Sequence, residues 1–163
     1  MGKFSKLMTA QPLLTRYNDP GNPTEHVYID VQPITNTVID LGETINVMIK
    51  DLFATLGQHG LRHMPTILEL VDRSRVKPEG VLEYIVITID SWRYLTEFLI
   101  LQTKSNLGGH PLILGRPWLA TTNAFIGCRS ISMMISDGQT TKNLKLYPPK
   151  PNMDLNNPWW DEF

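Results

Sequence analysis

The chain has 163 residues, 42% of them hydrophobic and 19% charged, with a formal net charge of -1. That length suits one well-buried core and is short for two. The near-neutral balance gives no general attraction to nucleic acid or to an anionic membrane. Cys128, the sole cysteine, excludes an internal disulfide and a cysteine-rich zinc site, and no apolar run reaches the roughly 18 residues of a membrane span.

Residues 1–24 are mixed in polarity and read as a lead-in, loosely ordered or docked through Leu13 and Leu14, with Asp19-Pro20-Gly21-Asn22-Pro23 as a turn signal. Lys6 stands where a myristoylation signal needs serine or threonine, and Leu13-Leu14 is too short for a secretory h-region. With a cysteine count that suits a reducing compartment, a cytoplasmic protein is expected. From residue 26 the pattern changes. Val27, Ile29 and Val31 alternate with polar neighbours, which predicts a half-buried strand. Gln32-Pro33 predicts a turn, and the β-branched run at 35–39 predicts a second strand ending at Asp40. The loop Leu41-Gly42-Glu43-Thr44 follows. Residues 50–56 predict a short helix with Leu52, Phe53 and Leu56 inward and Gly57 as its C-terminal cap.

Residues 66–71 and 81–90 are strand-like and flank a polar segment, 72–80, in which Pro78 and Gly80 are spaced for a type I turn. Ser91-Trp92-Arg93 predicts another turn, and Phe98-Leu99-Ile100-Leu101 a strand buried on both faces. Residues 111–114 form a short apolar strand that meets Gly115; Pro117 then suits the first turn of a helix with Trp118 and Leu119 in the core and Asn123 at its end. One more strand covers 124–128 with Cys128 as a buried thiol. A hairpin turns at Asp137-Gly138 between 132–135 and 143–147. Prolines and asparagines mark 149–163 as a tail. The expected architecture is mainly β, with about seven to nine short strands, two short helices and a small closed barrel that hides the strand edges.

Asp40 is the residue on which chemistry centres. A buried strand delivers its carboxylate into a tight loop, and such a group must be paired, hydrogen-bonded or protonated. Alone, Asp-x-Gly is usually a turn. Its company is more specific: an apolar-apolar-Gly segment, Ile113-Leu114-Gly115, opens a short helix further on. His59 and His63 are four apart, but Gly57 and Gly60 argue against a helix there, so they read as loop histidines and no metal site is expected. Arg73, Arg75 and Lys77 read as a solvated patch.

Together, Asp40-Leu41-Gly42-Glu43, the hairpin over 71–86 and Ile113-Leu114-Gly115-Arg116 resemble the retropepsin-like aspartic protease fold. Leu70-Val71-Asp72-Arg73-Ser74, Lys77-Pro78-Glu79-Gly80-Val81-Leu82-Glu83 and Leu112 to Thr121 look like the protease domains of plant gypsy-class LTR retrotransposon polyproteins. The resemblance covers roughly residues 25–148. It implies a barrel of the acid-protease type and an endopeptidase without metal or cofactor. It further implies a flap at Arg75, Val76, Lys77, Pro78, Glu79 and Gly80, and a brace at Gly115 and Arg116 for the active-site loop. Only one suitable aspartate loop is present, so the implied enzyme is a homodimer in which Asp40 of each subunit shares a water and a proton, acting on a peptide or polyprotein substrate. Leu41 stands where threonine or serine is usual, a trait of the plant-type subgroup. Glu43 stands where alanine is usual; it either crowds the cleft or pairs with Arg116. The alternative is the same fold retained only as a dimerisation or peptide-binding module.

Overall fold

The computed structural model describes residues 12–58, 60–64, 67–69, 75–102 and 109–149. The motif at 70–74, His59 and the tail from 150 lie outside the described residues. Six strands close into a barrel: β1 (Thr24–Ile29), β2 (Gln32–Ile39), β3 (Val47–Ile49), β6 (Gly80–Ile89), β7 (Trp92–Leu101) and β8 (Leu112–Leu114), in the order β1-β2-β8-β3-β7-β6. Strands β4 (Leu68–Glu69) and β5 (Arg75–Val76) form a two-stranded arm, and β9 (Phe125–Gly127), β10 (Ser132–Ser136) and β11 (Thr141–Lys145) a three-stranded sheet. Two short helices complete the described residues, α1 (Lys50–Thr55) and α2 (Arg116–Thr121).

The barrel is filled mainly by aliphatic side chains from the strands, together with Phe98. Ile29, Ile34, Ile39, Met48, Ile87, Phe98, Ile100 and Leu114 are all buried within it. Phe98 to Leu101 are buried without alternation, as expected of a strand covered on both faces. Helix α1 turns Leu52 into the core, and Gly57 ends it in the left-handed region at φ 65. Helix α2 starts at Gly115, carries Pro117 in its first turn and buries Trp118 and Leu119; Asn123 ends it at φ 47. The outer sheet is tied to the barrel by Thr24–Tyr147 backbone bonds of 2.8 and 2.9 Å and by Tyr94 Oη donating to Ser136 O at 3.0 Å. Thr24 thus already belongs to β1.

Several boundaries differ from the sequence reading. The first hairpin turns at Asp30 (φ 53) and Val31, and Pro33 lies inside β2 opposite Tyr28. With Ile29 opposite Gln32 closing a two-residue turn, position 33 falls at a wide pair, where no N–H is needed toward β1. β2 meets β8 only at Val38 and Ile39, so the proline removes no ladder bond. The second long hairpin likewise turns at Asp90 (φ 54) and Ser91, and Trp92 is already strand. Cys128 is exposed, not buried, because β9 ends at Gly127. Leu13 and Leu14 are also exposed rather than docked. No helix among the described residues is long and apolar enough to cross a membrane.

Candidate active site

Asp40 leaves the barrel directly after Ile39, the last paired position of β2. Its N–H donates to Leu114 O at 3.0 Å, next to the Ile39–Leu114 pair of the parallel β2–β8 ladder. The backbone is thereby fixed by a buried neighbour while the side chain emerges half-buried. Its Oδ1 accepts the Gly42 N–H at 2.9 Å. No hydrogen bond or ion pair within the described residues engages Oδ2. The second oxygen is thereby left able to accept a hydrogen bond from a water or a substrate group.

The loop beyond is clamped from below. Glu43 N–H closes a turn onto Asp40 O at 3.3 Å, and Glu43 O accepts the Arg116 N–H at 2.9 Å. Gly115 sits so close that a Cβ there would lie 2.3 Å from Ile45 O and 2.8 Å from Glu43 O, so only glycine fits. Gly115 N–H donates to Asn46 Oδ1 at 2.8 Å, and Asn46 Nδ2 donates to Glu97 O at 3.2 Å. Asn46 is buried and also takes the Leu99 N–H on its own carbonyl at 2.9 Å. One amide side chain thus joins the start of α2, the loop after Asp40 and strand β7. Sequence reasoning missed it. The only signal was a lone polar residue between apolar Ile45 and Val47, which has no periodicity.

The loop residues divide by exposure. Leu41 is 62% exposed, unusual for a leucine beside a candidate site; Gly42 and Thr44 are also exposed, and Glu43 is buried. Glu43 Oε1 accepts the Thr44 N–H at 3.2 Å. Of the two alternatives for Glu43, the ion pair with Arg116 does not form: the Arg116 side chain is exposed, and its bond to Glu43 is made by the backbone. Gly115 and Arg116 touch the loop through main-chain atoms, and the Arg116 guanidinium has no part in that contact.

The predicted flap residues occupy three environments. Arg75 and Val76 form β5, paired with Glu69 and Leu68. Lys77 and Glu79 are exposed, while Pro78 and Gly80 are buried. Glu79 N–H donates to Ile100 O at 2.8 Å and Gly80 opens β6 opposite Ile100, so Pro78 to Gly80 is the arm's docked base and not a free turn. Residues 70–74, between β4 and β5, lie outside the described residues. No cluster of metal-ligating side chains occurs among the described residues.

No protein-family model and no curated protein sequence matches the chain. Among solved structures, the retroviral protease-like domain of Ddi1 from Leishmania major is similar with a TM-score of 0.61 at 15% identity, covering 80% of this chain and 97% of that one. The likeness is one of fold. The closed six-stranded barrel with two short helices is retropepsin-like.

Proposed function

We propose that this chain is an aspartic endopeptidase domain that works as a symmetric homodimer, each subunit contributing Asp40, and that cleaves extended segments of a retrotransposon polyprotein of the plant gypsy class. The observation that carries this reading is the Asp40 loop: a half-buried carboxylate at the end of a core strand, one oxygen held by the Gly42 N–H and the loop tied to Gly115 and Arg116. A single carboxylate cannot both activate a water and polarise a peptide carbonyl, so the chemistry requires its symmetry mate. In the dimer one carboxylate takes a proton from the water while the other, protonated, donates to the carbonyl oxygen. The Gly42 N–H fixes which oxygen of each Asp40 faces the water. The residues Arg75 to Gly80 act as the flap, with Pro78 to Gly80 as its anchored base on β7.

The test is cleavage of peptide libraries by the purified chain at about pH 4–6. Wild type cleaves, and Asp40→Ala loses at least about a thousandfold. Cleavage that survives the substitution defeats the proposal. A second reading, a decayed module that only dimerises or holds peptide, is favoured by Leu41 and by buried Glu43 beside the loop. It expects no cleavage from the parent chain and a gain of activity in Glu43→Ala.

A further inference from the structure

Strand β7 leaves half of one edge uncovered. The turn at Asp90-Ser91 makes Ile89–Trp92 a hydrogen-bonded pair, so alternation sends the N–H and C=O groups of Tyr94 and Thr96 to β6 and those of Arg93, Leu95 and Glu97 the other way. Two observed bonds confirm this parity: Glu97 O accepts Asn46 Nδ2, and Leu99 N–H donates to Asn46 O. β3 covers β7 only from Leu99 to Leu101. No bond within the described residues takes up the N–H groups of Arg93, Leu95 and Glu97. Two adjoining cavities of about 310 and 540 Å³ lie along this edge and share Leu95 and Thr121 in their walls. Leu95 is 57% exposed, and Arg93 and Glu97 are exposed on either side of it.

The order basic–x–apolar–x–acidic, Arg93-Tyr94-Leu95-Thr96-Glu97, is self-complementary in an antiparallel pair. A two-fold axis through Leu95 sets each Leu95 opposite its own image. It sets Arg93 opposite the second copy's Glu97, and Glu97 opposite the second copy's Arg93. All three are bonding positions, so the pairing uses every open N–H on the edge. Arg93 makes no ion pair within the described residues, and Glu97 holds only a long, solvent-exposed one to Arg62 at 3.7 Å among them, which the association would exchange. We infer that the β7 edge is a self-association surface whose occupant is the same edge of a second copy of this chain. This contact is separate from the Asp40 dimer proposed above and goes beyond it. An edge of this length makes a small interface and a weak, concentration-dependent association.

The test is sedimentation equilibrium of the full chain up to about 1 mM protein, the range in which small interfaces are populated. Arg93→Glu and Glu97→Arg each weaken the association by about tenfold through like charges set opposite one another. An equimolar mixture of the two variants restores it, as does the double variant, because both arrangements again oppose unlike charges. Leu95→Pro abolishes it while the β6–β7 ladder, read by amide exchange, stays intact, since that N–H is not used by β6. The Asp40 dimer responds to none of these changes, so its failure is separately visible. Absence of any concentration-dependent step, indifference to Arg93→Glu, or a mixture that does not recover overturns the inference. So does protection of the Arg93, Leu95 and Glu97 amides only on adding an unrelated extended peptide.

Discussion

Two aspartates in this molecule stand in nearly the same local chemistry. Asp40 precedes Leu41-Gly42 and accepts the Gly42 N–H; Asp137 precedes Gly138 and accepts the N–H groups of Gln139 and Thr140 at 2.9 and 2.8 Å. Asp137 spends its second oxygen too, on Thr140 Oγ1 at 3.2 Å, and sits at an exposed hairpin tip. Asp40 keeps its second oxygen, and its backbone is pinned to Leu114 and, through Glu43, to Arg116. The short motif is therefore neutral between turn and site. What separates them is the long-range frame: one carboxylate closes its own turn, the other is held still by strands far away in sequence and left with bonding capacity to spare.

That frame is where substitution does most damage. Gly115→Ala drives a methyl group into Ile45 O and Glu43 O, both main-chain atoms that cannot swing aside. The expected cost is about 3 kcal/mol or more, measured by urea denaturation. Gly138→Ala is the control from the other loop. Nothing lies within 4 Å of its added carbon, and only φ 99 opposes it, for about 1 kcal/mol. Equal losses would remove the distinction between the two loops. Asn46→Ala comes next, at about 2–3 kcal/mol, because it strands the buried Gly115 N–H and Glu97 C=O together. If Asn46→Ala is near neutral, the brace rests on the Arg116–Glu43 bond alone.

These expectations mark what sequence could and could not supply. The strand ending at Asp40, the short apolar strand before Gly115 and both helices were legible, because β-branched runs, Gly57, Gly115 and Pro117 are local signals. The barrel followed from the number of strand edges to be hidden. The hairpin turns were displaced, because a proline at a wide pair and a tryptophan at a strand start look like breaks when the pairing partner is unknown. Asn46 was invisible for a stronger reason. Its role is defined by Gly115 and Glu97, 69 and 51 residues away, and nothing in its immediate neighbours encodes that. In the candidate site, the identity of the carboxylate was local information and its support was not. The alternative in which Glu43 pairs with Arg116 was right about proximity and wrong about the atoms that meet.

A third carboxylate sharpens the comparison through pH. Glu25 is buried in β1, and among the described residues its carboxylate accepts only the His26 N–H, at 2.8 Å. Desolvation, with a smaller push from Asp90, raises its pKa to about 7 against the weaker pull of that N–H. The folded chain thus keeps a proton between about pH 4.5 and 7 that the unfolded chain has released, so stability falls as pH rises through that window. The expected loss is about 2 kcal/mol after allowance for solvent screening. Thermal melts at pH 5 and pH 8, run in parallel on wild type and Glu25→Gln, check it: the glutamine variant shows no such decline, and an equal decline in both would place its source elsewhere.

Asp137 gives the smallest effect and the opposite sign. The Thr140 and Gln139 N–H groups hold its carboxyl below the usual carboxylate range. Its contribution is therefore fully present above the unfolded value and is lost as pH falls through the folded one. At neutral pH Asp137→Asn lowers Tm slightly, since the amide keeps an acceptor but not the charge. On acidification the difference between variant and wild type closes. A gap that persists in acid would mean that the turn depends on shape and not on the anion. Under the proposed function, the same substitution leaves peptide cleavage unchanged, whereas Asp40→Asn abolishes it. On that proposal the difference between two similar loops rests on the one Asp40 oxygen that no hydrogen bond among the described residues engages.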